Sequence, residues 1–255
     1  MLNQVDYDGH QRSVYAKGRA LSAEVTATWM SAFSRHAGPG RPLSVLDLGS
    51  GTGRFTPALA ETFGGPVYGV EPSSGMRQAA VTDAAHPAVT YLEGSAGAIP
   101  LPDASVDLVL LFLVWHHVPD RTAGAAEIRR VLRPGGKVLF RSTFGDRLPE
   151  AAWLDYFPGA ASVEAAMFPT LAQVEAEFAA AGLRRVALEV VRVQVVESAE
   201  AYLERLRMRA ISTFEHLPED EIERGFARME ADVVSGTPAF RIAEDGDLMV
   251  LELPA

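Results

Sequence analysis

Asp47, Gly49-Ser50-Gly51-Thr52-Gly53, Glu71 and the pair His116-His117 are the residues whose types and spacing could do chemistry. Glycines after a short apolar stretch let the backbone turn sharply and approach a ligand with no Cβ in the way. A helix opening just beyond them presents unpaired N–H groups at its start. A dinucleotide fingerprint requires G-x-G-x-x-G, and here Arg54 stands where the third glycine of that pattern would be. Asp47, two residues before the first glycine, would repel a pyrophosphate and suits a cationic or amino-bearing ligand. Glu71 follows 24 residues after Asp47 at the end of the next apolar run. A carboxylate there can accept from both hydroxyls of a ribose.

These residues sit on a β/α alternation. Strands are expected at Ser44–Leu48, Val67–Val70, Val89–Glu93, Leu108–Leu113, Lys137–Ser142, Val186–Val196 and Asp247–Leu253. The run Leu108 to Leu113 is apolar throughout, as in a strand buried on both faces. A helix over about Arg54–Phe63 ends at Gly64-Gly65, Ser73-Ser74 caps the next one, and Thr170 with Gln173 forms a capping box. Leu21, Val25, Trp29 and Phe33 recur every four residues, so residues 1–36 read as a helical lead-in. Ala37-Gly38-Pro39-Gly40-Arg41-Pro42 separates that lead-in from the core over residues 43–143. Residues 144–169 are rich in aromatics and prolines, and residues 197–236 carry two amphipathic helical patterns. The first of these insertions suits an acceptor-pocket wall; the second suits a lid or a dimer face.

A length of 255 residues fits one α/β domain with appended helices. No apolar run reaches the roughly 20 residues of a membrane span, and the first residues show no secretory signal; a cytoplasmic protein is expected. The net charge of −10 opposes a nucleic-acid footprint, which needs a basic surface. The absence of cysteine removes thiolate nucleophiles, Fe–S clusters and thiolate zinc sites. Adjacent histidines point in different directions on a regular backbone, so His116 and His117 do not make a metal pair, and no metal is expected.

At Asp47-x-Gly49-x-Gly51-x-Gly53 the chain resembles the class I S-adenosylmethionine-dependent methyltransferases. "IPLPDASVDLV", "HHVPD" and "EIRRVLRPGGKVLF", in this order, extend the resemblance over residues 40 to 145, to the group that includes ubiquinone/menaquinone-biosynthesis and natural-product enzymes. The resemblance implies a doubly wound, seven-stranded, mostly parallel sheet with an antiparallel last strand. It implies S-adenosylmethionine bound by Asp47, Gly49, Ser50, Gly51, Gly53, Glu71, Pro72, Met76, Ser95, Ala96, Phe112, Leu113 and His117. Met76 would fall near the adenine, and Ser95 replaces the acidic residue that usually meets the adenine amino group. Tyr15 and Arg19 either close over the cofactor, with the guanidinium on its carboxylate, or are a packed aromatic and a surface arginine. The resemblance implies that His117 shapes the site, which leaves His116 as the better candidate to meet the acceptor, either as a base or without taking a proton.

The function this implies is methyl transfer to a small organic molecule, with oxygen the favoured target and carbon or nitrogen open, by a monomer or homodimer. Two other functions compete. A non-catalytic protein that binds S-adenosylmethionine or a metabolite would explain Ser95. An NAD-dependent oxidoreductase is opposed by Arg54 and Asp47, and neither Lys17 nor Lys137 has a tyrosine four residues before it.

Overall fold

A computed structural model describes residues 21–194, 198–236 and 243–255. The expected alternation is present. After helix α1 (Ala23–Ala37), the chain forms β1 (Leu43–Leu48), α2 (Thr56–Phe63), β2 (Gly64–Glu71), α3 (Ser74–Asp83), β3 (Val89–Glu93), β4 (Val106–Phe112), α4 (Arg121–Val131) and β5 (Leu132–Ser142). Helices α5 (Ala160–Met167) and α6 (Leu171–Ala180) then lead to β6 (Arg184–Gln194). Helices α7 (Ala199–Arg207) and α8 (Glu219–Ser235) precede β7 (Ala243–Glu252).

The seven strands form one sheet in the order β3-β2-β1-β4-β5-β7-β6. Strand β7 runs antiparallel to both β5 and β6, and the pairs from β3 through β5 are parallel. The winding direction reverses between β1 and β4. Beyond the carboxyl ends of those two strands is where an open α/β sheet leaves a crevice for a ligand.

Two apolar layers cover the sheet. On one face α1 and α2 bring Val25, Trp29, Phe33, Leu59 and Phe63 against Val45, Leu108, Leu139 and Leu248. On the other, α4 and α6 bring Ile128, Val131, Val174 and Phe178 against Leu46, Val109, Leu111, Val138 and Met249. The four-residue stripe of α1 thus faces the core, and Ser22 caps that helix by accepting from the Val25 N–H at 3.1 Å.

Local signals fixed most helix starts. Ser73 Oγ accepts from the Met76 N–H at 3.2 Å, and Thr170 and Gln173 form both halves of the capping box. Strand limits moved by a few residues. Strand β4 ends at Phe112 because Leu113 adopts φ +55° and leaves the extended region. Strand β6 (Arg184–Gln194) starts two residues earlier than expected, because its pairing with β7 begins at Arg184↔Glu252, and the expected last residues, Val195 and Val196, lie outside the described residues. Among the described residues no helix is long and apolar enough to cross a membrane.

Candidate active site

The glycine loop leaves β1 beneath the end of β2. The Gly49 and Ser50 N–H groups both donate to the Val70 carbonyl, at 2.7 and 3.2 Å. Gly53 adopts φ +76°, and a Cβ there would lie 2.3 Å from the Tyr91 hydroxyl and 2.9 Å from the Ala84 Cβ. The third glycine therefore makes room for a tyrosine from β3, whose hydroxyl donates to the Ala84 carbonyl at 2.9 Å. In a dinucleotide fold the third glycine lets helix and strand pack closely; here it serves a side chain, which accounts for its different place in the pattern.

Asp47 is buried at 4 % exposure and accepts from Thr56 Oγ1, the first residue of α2, at 2.7 Å. Burial pushes its carboxyl up to about 6, against the lowering effects of the Thr56 hydrogen bond and the Arg54 guanidinium. The Glu71 carboxylate ties the loop to the start of α3, accepting from Gly51 N–H at 3.0 Å and from Ser73 N–H at 2.9 Å.

A first cavity, of about 310 Å³, opens beside this loop and is predominantly apolar. Gly49, Pro72, Ser95, Ala96 and His117 line it, together with Leu48, Val70, Gly97, Val114, Val118, Pro119 and Asp120. Met76 is buried and is not among its lining residues, and Phe112 stands on the other face of the sheet. Its ring is packed edge-on against Trp29 at 5.2 Å and tilted against Phe55 at 4.4 Å. The Arg54 and Arg141 guanidinium carbons lie 5.3 and 5.2 Å from the Phe112 ring centre. Tyr15 and Arg19 lie outside the described residues.

A second cavity, of about 80 Å³, adjoins the ends of β4 and β5. Leu113, His116, His117, Arg141, Trp153, Glu164, Phe168 and Ile211 are among its lining residues, with Glu244 and Asp245 from β7. The 144–169 segment divides its work: Trp153 and Phe168 line the cavity, while Phe144 and Phe157 are core. The second insertion contributes Ala210, Ile211 and Ser212. Sequence reasoning missed Arg141, Glu164 and Glu244. Only Arg141 carried a signal, as a charge at the carboxyl end of a buried strand.

His117 lines both cavities. The two histidines occupy a 3₁₀ turn, Trp115–His117. Their ring centres are 3.8 Å apart, so the expectation that adjacent histidines diverge is wrong here, because it assumed regular backbone. The His116 ring also lies 4.3 Å from that of Phe168. Trp115 anchors the turn: its ring is buried against Phe178 at 4.9 Å, and its Nε1–H donates to Glu177 Oε2 at 2.8 Å. The other oxygen of Glu177 accepts from Arg121 Nε at 2.7 Å.

Asp47, Ser50, Gly51, Gly53 and Glu71 are not among the residues that line the first cavity but flank it in β1, in the glycine loop and at the end of β2, where three of them have features that suit an adenosine-bearing ligand. Gly51 adopts φ +57°, with nothing within 4 Å of the position a Cβ would take, so the loop backbone is open to close approach. Ser50 Oγ is buried and has no hydrogen-bond partner among the described residues. Glu71 stands at the end of β2, the place from which a carboxylate meets a ribose.

Comparison with known proteins agrees with this geometry. Residues 46–140 match the methyltransferase domain family. The chain is 38 % identical over 141 residues to an uncharacterized methyltransferase of Mycobacterium tuberculosis, covering 55 % of this chain and 54 % of the relative. It is 34 % identical over 126 residues to the demethylmenaquinone methyltransferase of Lactococcus lactis, covering 48 % and 50 %. These alignments span about half the length of the curated relatives. A solved structure from Anabaena variabilis, assigned to methyltransferases of antibiotic biosynthesis, has the same fold. It superposes with a TM-score of 0.71 at 24 % identity, covering 89 % of this chain and 99 % of that one. Residues 46–140 thus match a methyltransferase domain, and over about half of its length the chain is similar to class I methyltransferases, whose cofactor is S-adenosylmethionine.

Proposed function

We propose that the chain transfers a methyl group from S-adenosylmethionine in the first cavity to an oxygen of a small organic molecule in the second. The observation that carries this reading is the shared wall. His117 lines both cavities, and Leu113 and His116 from the same segment line the second. Donor and acceptor sites therefore meet at the carboxyl end of β4.

S-adenosylmethionine, when bound, supplies a methyl group already activated on a sulfonium. The chain's own task is to hold the acceptor in line and to exclude water. Asp47, Gly49, Ser50, Gly51, Gly53 and Glu71 form the donor side, with Pro72, Ser95 and Ala96 along the base. Trp153, Phe168 and Ile211 give the acceptor apolar walls. His116, in the same cavity, accepts the proton of the acceptor hydroxyl; an imidazole is matched to that task near neutral pH.

Titration calorimetry with S-adenosylmethionine, and separately with NADH, is the first test. Micromolar binding of the first ligand alone is expected. His116→Ala should keep that affinity and slow S-adenosylhomocysteine release with phenol and enol acceptors by at least roughly 100-fold, the usual contribution of a general base. An unaltered rate would make His116 structural. Binding without turnover of any acceptor would favour a non-catalytic binding protein.

A further inference from the structure

We propose that Asp120 reads the base of the cofactor, its carboxylate accepting a hydrogen bond from the adenine amino group. The assignment rests on the donor reading above. Val70, Pro72, Ala96, Val118 and Pro119 give the first cavity apolar faces suited to a flat heteroaromatic ring. The side chains in its lining that offer a hydrogen-bond acceptor are Ser95, His117 and Asp120, and of these Asp120 alone carries a carboxylate.

An exocyclic amino group only donates, and a desolvated donor without an acceptor is costly. A serine hydroxyl donates as readily as it accepts, so Ser95 does not separate an amino group from a carbonyl at the same position. An ionised aspartate accepts only.

The position of Asp120 is fixed from two sides. As the N-cap of α4 it uses Oδ1 to accept from the Ala123 N–H at 2.9 Å. One turn later Gly124 seats the helix closely, since a Cβ there would lie 3.4 Å from the Ala96 Cβ and 3.2 Å from the Trp115 ring. Further along, Glu127 accepts from the Ile99 N–H at 3.0 Å, and Arg130 donates to the Ile99 and Leu101 carbonyls at 2.9 and 2.8 Å. Helix α4 is thereby held against the segment that carries Ser95 and Ala96, and Asp120 stands on the cavity rim with them.

The test compares binding of S-adenosylhomocysteine and S-inosylhomocysteine, which carries a carbonyl where adenine has its amino group. Asp120→Asn is the decisive variant, because asparagine caps a helix as well as aspartate while offering an N–H to the ligand. The unmodified chain should prefer the adenosyl ligand at least tenfold. Asp120→Asn should lose or invert that preference with an unchanged thermal transition, and Ser95→Ala should shift both ligands alike. Equal binding of the two ligands by the unmodified chain, or full preference retained in Asp120→Asn, overturns the assignment. Binding of neither by the unmodified chain overturns the donor reading as well, so the two failures are distinguishable.

Discussion

Replacing Asp47 by asparagine should make the protein more stable at neutral pH and a poorer binder of its cofactor. Burial raises the Asp47 carboxyl from 3.8 to about 6. The folded chain thus holds this proton more tightly than the unfolded chain. The resulting stability is fully present below about pH 4 and is lost as pH rises through 6. A rise of that size corresponds to about 3 kcal/mol at neutral pH, a large share of the roughly 5–15 kcal/mol that holds a domain folded. Asparagine keeps an oxygen for the Thr56 hydroxyl and cannot ionise. Its advantage over the native chain should be near zero at pH 4 and approach about 3 kcal/mol by pH 7, or roughly 6–12 °C in Tm for a chain of this length. The assay is thermal or urea unfolding of both proteins from pH 4 to 8, taken as a difference so that groups common to both cancel. A difference that stays flat across this range would refute the reasoning, as would an asparagine variant less stable at pH 8. A carboxylate kept ionised at such a cost is what a binding site for a cationic donor requires. The same variant should therefore bind S-adenosylmethionine more weakly, and the native chain should release a proton on binding near pH 6.

The glycine loop and the histidine turn give two further expectations. Gly53→Ala places a Cβ 2.3 Å from the Tyr91 hydroxyl at a φ of +76°, and should lower stability by about 2 kcal/mol or more and weaken cofactor binding; adding Tyr91→Phe should recover part of both, as urea denaturation and calorimetry would show. Glu177→Ala leaves the Trp115 Nε1–H, in a residue 1 % exposed, without its acceptor, and should cost about 1–3 kcal/mol. Glu177→Gln keeps that acceptor and weakens only the partly exposed contact to Arg121, so urea denaturation should show a loss under about 1 kcal/mol; equal losses in the two variants would contradict the account.

How much could be read in advance depended on whether the determinant was local. The glycine loop, the caps at Ser73 and Thr170 and the apolar run of β4 are each set by neighbours within a few residues, and each was legible. The roles within the loop were less so. That Gly53 accommodates Tyr91 is a contact across 38 positions, and no local pattern announces it. The histidine pair was misjudged because the 3₁₀ turn at Trp115 replaced the regular backbone that the reading assumed. The second cavity was the least legible part. It is assembled from the ends of β4 and β5, two insertions and β7, and Arg141, Glu164 and Glu244 meet only once the sheet is complete. Asp120 shows both kinds of signal. Its capping role follows from its place before α4, whereas its place on the cavity rim follows from Gly124 packing on Ala96.

The reversal of strand order between β1 and β4 explains why one short segment carries so much of the site. Strand β1 gives its end to the glycine loop, so the wall facing that loop must come from β4, its neighbour on the other side of the reversal. The chain leaves β4 at Leu113 and turns through Trp115–His117 before α4 begins at Arg121. Residues 113–120 consequently contribute Val114, His117, Val118, Pro119 and Asp120 to one cavity and Leu113, His116 and His117 to the other. Glu177 reaches both sides of this segment, through Trp115 and through Arg121. A change in the turn cannot be confined to one cavity, because the same short stretch of backbone carries lining residues of both.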